Sequence, residues 1–540
     1  MRVDLEVAEP LRSSAKASPV WPAPAPGRRI DGFDLAVLGA FACVSLWILA
    51  LDLWQVLAHG RVWTGTDGIY LVDQMQYLAW IRDAAHHLFA SNLFVLRSTP
   101  SDYFQPAVAI SGALTAVGVP PWLALLLWKP VAVLCVFFGT RRYVRDTLTG
   151  KWPRRAALVL AIFYGAFSVV YGSFGVVGDL QFTFLSWGYT FGLLAVGLLL
   201  LALISYDRAR ARGRRIWLPG LLGAIASLLH PWQGELLIVL ILSVELVMWL
   251  SAGRRLRQMT AGDARLPALT ILITALPLLY YLVLGNLDLS WELARDASKH
   301  AFSIWTILLA IGPLMVPAAL GYRRRASGFL PLVTRLWLPA ALAIYILSAS
   351  GLSATPLHAF DGVTVPLAVL AVQGAGSLRV ARHRRRWLLG AAAVGLATIP
   401  ATVYLLGYSA GLAAPTPGNA NFIAHDEQRA LRYLARDRDP GGVLSRFYLG
   451  SVIPGQTGRR TFVGDCLWSE PDCMPRAQVV QALFSGAIAP AAARSLVHAS
   501  GARFVLSDCQ VTGNLAVALA PITVSVRRFG CAKVYEVDGP

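Results

Sequence analysis

Apolar runs of roughly twenty residues, most of them closed by a cluster of arginines, recur from about residue 33 to residue 411. This alternation limits the fold more than any other feature of the chain. A run of that length is what about 30 Å of hydrocarbon requires, and at that depth every backbone polar group must be bonded within its own segment, so each run is expected as a helix. Composition agrees: 56% of the 540 residues are hydrophobic, only 14% are charged, and the mean hydropathy is +0.56. The expected fold class is an α-helical polytopic membrane protein.

The formal net charge of +18 would suggest a nucleic-acid partner in a soluble protein. Here the excess is dispersed among short clusters between apolar runs: Arg208/210/212/214/215, Arg254/255/257, Arg323/324/325 and Arg379/382/384/385/386. That dispersal offers no single basic face and reads as the positive-inside signal, with no nucleic acid as partner.

Residues 1–30 carry Pro, Ala and the basic residues Arg2, Arg12, Lys16, Arg28 and Arg29 without apolar periodicity, as in a disordered cytosolic tail. Holding the arginine clusters in the cytosol gives eleven spans, at about 33–57, 120–140, 155–175, 188–206, 216–231, 233–252, 267–285, 302–322, 329–350, 362–378 and 387–411. The membrane domain then covers residues 31–415, with a first external loop at about 58–119. Within that loop a helix is expected from about Leu71 to Ala90, amphipathic and lying at the interface, followed by a short apolar helix at 106–118. Beyond residue 415 no run is long enough to span. Residues 416–540 are expected as an external soluble α/β domain, with helices at 424–436, 476–486 and 489–500 and strands at 442–445, 460–463, 503–507, 522–526 and 533–537.

Cysteine usage fits this division. Cys43 and Cys135 fall inside spans, whereas Cys466, Cys473, Cys509 and Cys531 fall in the external domain, which predicts two disulfides. Of the three connectivities, Cys466–Cys473 with Cys509–Cys531 is favoured: the first closes a short loop and the second can join adjacent strands.

The alternation also collects chemistry-capable side chains on one face. Asp67, Asp73, Asp179, His230, Glu235, Asp288, Glu292, Arg295, Asp296, Lys299, His300, His358 and Asp361 all fall in external loops or at their edges. Asp73 opens the 71–90 helix, where the dipole favours an ionised carboxylate able to take a proton from an acceptor hydroxyl. The same residues also suit plainer roles, Asp73 as a helix cap and Asp67 in a Thr-Asp-Gly turn. No G-x-x-x-x-G-K or H-E-x-x-H motif is present, so nothing supports nucleotide-driven transport or zinc proteolysis.

The order of parts is one span, a large external loop with an Asp opening a helix, a Pro-led short helix, a span ending in Arg-Arg, then a bundle. It resembles the GT-C class of polyprenyl-phosphate-sugar-dependent glycosyltransferases, including arabinosyl- and mannosyltransferase-like proteins of bacterial envelopes. Asp73-Gln74 with Tyr77 is similar to that class's acidic motif, often an Asp-Glu pair followed by Tyr. Gln74 stands where the second acid would be, so the cofactor, a divalent metal or none, stays open.

The resemblance implies a hexosyl- or pentosyltransferase in the cytoplasmic membrane. It would move a sugar from a polyprenyl-phosphate donor to a glycan, lipid or protein acceptor on the outer face, by inverting general-base catalysis. Asp73 would be the base and Asp67 the runner-up. Arg295 and Lys299, then His230 and His358, would meet the departing phosphate, and Asp179, Tyr77 and Trp80 would suit sugar recognition. The alternative is a transporter or flippase of a lipid-linked substrate, which would place ionisable groups at mid-membrane.

The topology is tested by a cysteine placed near Gly418: a membrane-impermeant thiol reagent should label it in intact cells. Labelling only after permeabilisation would sink the odd span count.

Overall fold

The computed structural model describes residues 30–67, 69–165, 180–251, 261–298, 303–323, 326–348, 356–376 and 383–538. The chain is mostly helical. Asp31 caps the first helix, its carboxylate accepting from the backbone N–H of Asp34 at 2.9 Å. Helices α1 (Gly32–Ser45) and α2 (Trp47–His59) make one apolar passage bent by 48°. After strand β1 (Val62–Trp63) come α3 (Leu71–Ala84), α4 (Pro106–Ala116), α5 (Pro121–Leu126), α6 (Trp128–Thr147) and α7 (Lys151–Phe163). The bundle continues through α8 (Phe182–Gly188), α9 (Thr190–Arg212), α10 (Leu218–Leu229), α11 (Pro231–Ser251), α12 (Ala261–Leu287), α13 (Leu289–Ala297), α14 (Ile304–Tyr322), α15 (Phe329–Leu347), α16 (Thr364–Ala375) and α17 (His383–Leu412).

Among the described residues seven helices are long and apolar enough to cross a membrane, or eight with the bent pair counted as one. The expected spans at 155–175, 216–231 and 362–378 coincide with helices of 13, 12 and 12 residues. At 1.5 Å per residue, twelve residues cover only about 18 Å. The reason at α10 is local: Pro231 disfavours helical geometry at His230, which is extended (φ −158°), so one helix stops there and the next begins. The 155–175 expectation runs on into residues outside those described.

α9 is the buried centre of the bundle, packing on α6 and α10. Gly197 permits the α6 contact, since a Cβ there would lie 2.8 Å from the backbone nitrogen of Val136. Gly374 does the same between α16 and α14, where a Cβ would fall 2.0 Å from the carbonyl oxygen of Pro317.

Past the bundle, β2 (Phe422–Ile423) leads into the domain formed by α18 (His425–Arg436), β3 (Val443–Leu444), α19 (Phe447–Gly450), α20 (Ile453–Thr457), α21 (Cys473–Ser485), α22 (Pro490–Ser500), β4 (Phe504–Ser507), α23 (Leu515–Leu519), β5 (Thr523–Phe529) and β6 (Ala532–Val537). The sheet order is β3-β4-β6-β5, with β3 parallel to β4 and the other pairs antiparallel. Strand alternation decides which side chains go where. Val505, Tyr535 and Val537 join Val480, Leu483, Phe484 and Val497 of α21 and α22, whereas Phe504, Leu506 and Val534 face the core that contains Ala430, Leu431 and Leu434 of α18. The expected strand at 460–463 is only a bridge, Thr461 to Val443. Both expected disulfides, Cys466–Cys473 and Cys509–Cys531, are present.

The first loop departs from its expected setting. α3 does not lie free at an interface: Gln74, Met75, Gln76, Leu78, Ala79, Trp80, Ile81 and Ala84 are all buried, against α4 and against α20 of the C-terminal domain. It also stops at Ala84 rather than near Ala90, because the Asp83 carboxylate turns back to accept from the N–H and hydroxyl of Ser91 at 2.6 and 2.9 Å.

The C-terminal domain holds this loop at several points between Val62 and Arg97. β1 pairs antiparallel with β2, Val62 opposite Ile423. Arg460 donates to the carbonyls of Asn92 and Arg97 at 2.7 and 2.9 Å, and the Thr461 N–H donates to the Leu93 carbonyl at 2.9 Å. The Ser469 hydroxyl donates to the Phe94 carbonyl at 2.9 Å.

Candidate active site

Tyr70 turns the chain through the left-handed region (φ 46°), and α3 begins immediately after it, which puts Asp73 in the first turn. One Asp73 oxygen accepts a hydrogen bond from the Tyr189 hydroxyl at 2.9 Å. Burial pushes the Asp73 carboxyl above the ordinary carboxylate range, opposed by the Tyr189 hydroxyl and by nearby His358. Gln74 is turned the other way. Its amide oxygen accepts from the Asp67 N–H at 2.9 Å, and its amide nitrogen donates to the Ile69 carbonyl at 2.6 Å and the Trp187 carbonyl at 3.2 Å. At the position of the expected second acid, this chain has a bracket for its own loop.

Asp67 is 2% exposed and forms an ion pair with Lys129 at 2.5 Å. The Lys129 ammonium also donates to the Ser186 carbonyl. Close by, the Asp52 carboxylate of α2 accepts from the Asn421 amide at 2.9 Å, and the Asn421 oxygen accepts from the Thr66 hydroxyl at 2.7 Å. Lys129 carried a sequence signal: it is a cation within an apolar run, and such a residue needs a partner.

Beyond Asp73 the side chains are aromatic. Tyr77 packs edge-on to Trp80 and Phe191, at 5.6 and 4.9 Å between ring centroids. Trp80 in turn meets Tyr103 at 4.3 Å, Trp468 at 5.2 Å and Trp291 at 6.0 Å, the last nearly parallel. Trp80, Tyr103 and Trp468 are buried, while Tyr77 and Trp291 are half-buried and form the accessible part of this wall.

Trp468 comes from the loop closed by Cys466–Cys473, and the same loop brings Asp465. Asp465 is 2% exposed; one oxygen accepts from the Leu467 N–H at 2.8 Å and the other has no donor among the described residues. Burial and then the charge of Asp73 push its pKa up to about 7. Two carboxylates from opposite ends of the chain therefore share one field. Sequence gave no sign of Asp465, because the approach depends on how the C-terminal domain docks.

On the other side of Asp73 the Tyr189 ring packs against His358 at 5.9 Å, and His358 meets His230 and Trp232, each at 4.7 Å. Burial, then His358, pushes the His230 pKa down to about 3, so its imidazole is neutral.

Asp73, Tyr77, Trp80, His230 and His358 thus belong to one contiguous group. Arg295 is placed elsewhere: it donates to the Asn286 oxygen at 3.2 Å and the Asp296 carboxylate at 3.4 Å, while Trp291 of the same helix α13 joins the aromatic wall. Asp179 and Lys299 lie outside the described residues. Gly407-Tyr408-Ser409-Ala410-Gly411 fits G-x-S-x-G, but it lies within the continuous helix α17, with the Ser409 hydroxyl donating to the Leu406 carbonyl, so it forms no nucleophile elbow.

No family model and no curated protein matches the chain. Solved structures do. The oligosaccharyltransferase of Archaeoglobus fulgidus aligns at 13% identity over 94% of this chain and 74% of its own, with a TM-score of 0.52. ArnT from Cupriavidus metallidurans, solved bound to undecaprenyl phosphate, aligns at 14% identity over 93% of this chain and 97% of its own, TM-score 0.50. The mycobacterial arabinofuranosyltransferase AftD aligns at 16% identity over 93% of this chain and 41% of its own, TM-score 0.55. All three are GT-C glycosyltransferases. The fold is GT-C. At these identities the likeness lies in the backbone; in this chain α3, with Asp73 in its first turn, packs against α4 and against α20 of the C-terminal domain.

The Asp67–Lys129 pair yields a stability prediction. Lys129→Met leaves a buried carboxylate unpaired and should cost about 3–5 kcal/mol. Adding Asp67→Asn removes the second charge and should recover most of the loss. Thermal melts in detergent check this; equal melting temperatures for wild type and Lys129→Met would show that the pair holds nothing.

Proposed function

We propose that this protein is a membrane glycosyltransferase. In this reading it moves a sugar from a polyprenyl-phosphate donor to an envelope glycan, lipid or protein acceptor on the outer face of the membrane. The observation that carries it is Asp73: a carboxylate in the first turn of the loop helix, held by the Tyr189 hydroxyl and flanked by a partly open aromatic wall, in a GT-C fold. Undecaprenyl phosphate in ArnT and dolichol phosphate in the archaeal oligosaccharyltransferase AglB support a polyprenyl-phosphate donor.

The chemistry follows from the donor's shape. An isoprenoid tail stays in hydrocarbon, the phosphate stays at the interface, and the sugar reaches outward, so the catalyst must be a membrane protein with an outward pocket. Asp73 takes the proton of the acceptor hydroxyl as the oxygen attacks the anomeric carbon; the bond from that carbon to the phosphate oxygen breaks, and the configuration inverts. Tyr189 fixes the Asp73 carboxylate, and Tyr77 and Trp291 offer ring faces to the sugar. Asp465 supplies an acceptor oxygen for a sugar or acceptor hydroxyl. Asp67 positions the loop through Lys129.

The transporter alternative finds no support in the intramembrane charges. Lys129 is paired with Asp67. Glu245 accepts from Tyr206 and Arg210 at 2.9 and 3.0 Å, and Arg335 donates to the Pro331 carbonyl at 3.0 Å.

Asp73→Asn should preserve folding and donor binding while lowering turnover by about 10²–10⁴-fold. Asp67→Asn should act chiefly on stability. If transfer survives Asp73→Asn in an assay where wild type is active, Asp73 is not the base.

The pH profile provides a second check. A base must be deprotonated, so activity falls as pH drops through its pKa; because burial raises that of Asp73, the acid limb should lie above the ordinary carboxylate position of about 4. A limb at or below that value argues against Asp73.

A further inference from the structure

Asp361 is 0% exposed, and neither of its carboxylate oxygens has a hydrogen-bond donor among the described residues. Leaving a buried carboxylate without a partner is costly, so this position calls for a proton, a cationic side chain or a bound cation. The side chains facing it are His230 and His358, each 8% exposed. Their Nδ1 atoms lie 3.9 and 3.7 Å from the same Asp361 oxygen.

Those separations narrow the possibilities. They exceed the roughly 2.7–3.2 Å of a hydrogen bond, so neither a protonated imidazole nor a protonated carboxyl bridges the groups in this arrangement. Two ligand atoms each about 2.1 Å from one ion lie about 3.4 Å apart at a tetrahedral angle, and up to about 4.2 Å apart at wider angles. One ligand atom from each of the three residues falls within 4.8 Å of the others, so a small inward movement closes the set.

The backbone holds this trio together. His230 is fixed between α10 and Pro231, the first residue of α11. His358 lies in the 3-10 turn Pro356–Phe360, and the Asp361 N–H closes that turn on the His358 carbonyl at 3.2 Å. Gln233 joins the two segments: its amide nitrogen donates to the His358 carbonyl at 3.3 Å, and its oxygen lies against Nδ1 of His230. The Gln233 oxygen therefore accepts the Nδ1–H of His230, and Nε2 is the nitrogen that this ring offers to an ion.

We propose that His230, His358 and Asp361 bind a divalent transition-metal ion of the Zn²⁺ class. Two nitrogen donors with one oxygen select such an ion over Mg²⁺ or Ca²⁺, which take oxygen ligands. Three protein ligands leave a fourth position open to an exogenous group. Asp426, Cys509 and Cys531 also cluster, but both sulfurs are consumed in a disulfide. The proposal concerns ion binding and stands whether or not the protein transfers sugars.

The test uses the full-length protein in detergent, stripped with a chelator, and ZnCl₂ as the probe. About one equivalent of zinc should survive desalting and raise the melting temperature, whereas MgCl₂ should do neither. His358→Ala and Asp361→Asn should each weaken zinc binding by at least about tenfold. In the zinc-free protein, Asp361→Asn should melt no lower than wild type, since it removes an unpaired buried charge, and that result separates lost binding from lost folding. His86→Ala/His87→Ala controls for exposed imidazoles and should retain the zinc. Zinc uptake unchanged by Asp361→Asn and His358→Ala, or lost with His86→Ala/His87→Ala, overturns the proposal, as does a stripped wild type that takes up none.

Discussion

A lysine at the start of a membrane helix and an aspartate from the loop that precedes α3 meet out of water, and the loop at the site depends on that contact. Lys129 cannot stay charged inside an apolar bundle without a partner, and Asp67 cannot be buried without one. Their pairing anchors the loop at Asp67. Gln74 braces the same stretch from the helix side, and Thr66 with Asn421 braces it from the C-terminal domain. With those ties in place α3 has one orientation, and Asp73 points at Tyr189.

Long-range features of the chain were readable where they follow from hydrophobicity, and hidden where they follow from docking. The apolar runs marked the helices of the bundle, and strand alternation marked four of the five expected pieces of sheet, because both patterns are set by local period. The lengths of α10 and α16 were not readable, since a window of apolar residues cannot distinguish a full crossing from a short helix packed inside the bundle. The buried state of α3 was missed for a related reason. Its amphipathic pattern read as a helix lying at the interface, yet α20 packs on it and Trp468 meets Trp80, almost four hundred positions later in the sequence.

The candidate site divides in the same way. Asp73, Tyr77 and Trp80 were found by spacing on one helix, and His230 and His358 by their place in external loops. Asp465 and Trp468 were invisible, for nothing in Asp465-Cys466-Leu467-Trp468 announces that it will cover a helix encoded in the first sixth of the chain. Asp361 stood among the external acids without a role, and neither its burial nor its two imidazole neighbours could be read from the sequence. Arg295 was attractive as a cation near phosphate, but its helix presents Trp291 to the aromatic wall and the guanidinium to Asn286 and Asp296.

The stitching of the first loop to the C-terminal domain also has a temporal side. During synthesis the bundle inserts helix by helix, while Asn421, Arg460 and the loop bearing Trp468 are still to be translated. Until they emerge, β1 has no strand to pair with, the carbonyls of Asn92, Leu93 and Phe94 have no donors from that side, and Trp80 has lost one of its covering rings. A nascent chain still short of residue 421 therefore carries this loop without those partners, and docking of the C-terminal domain is what covers it.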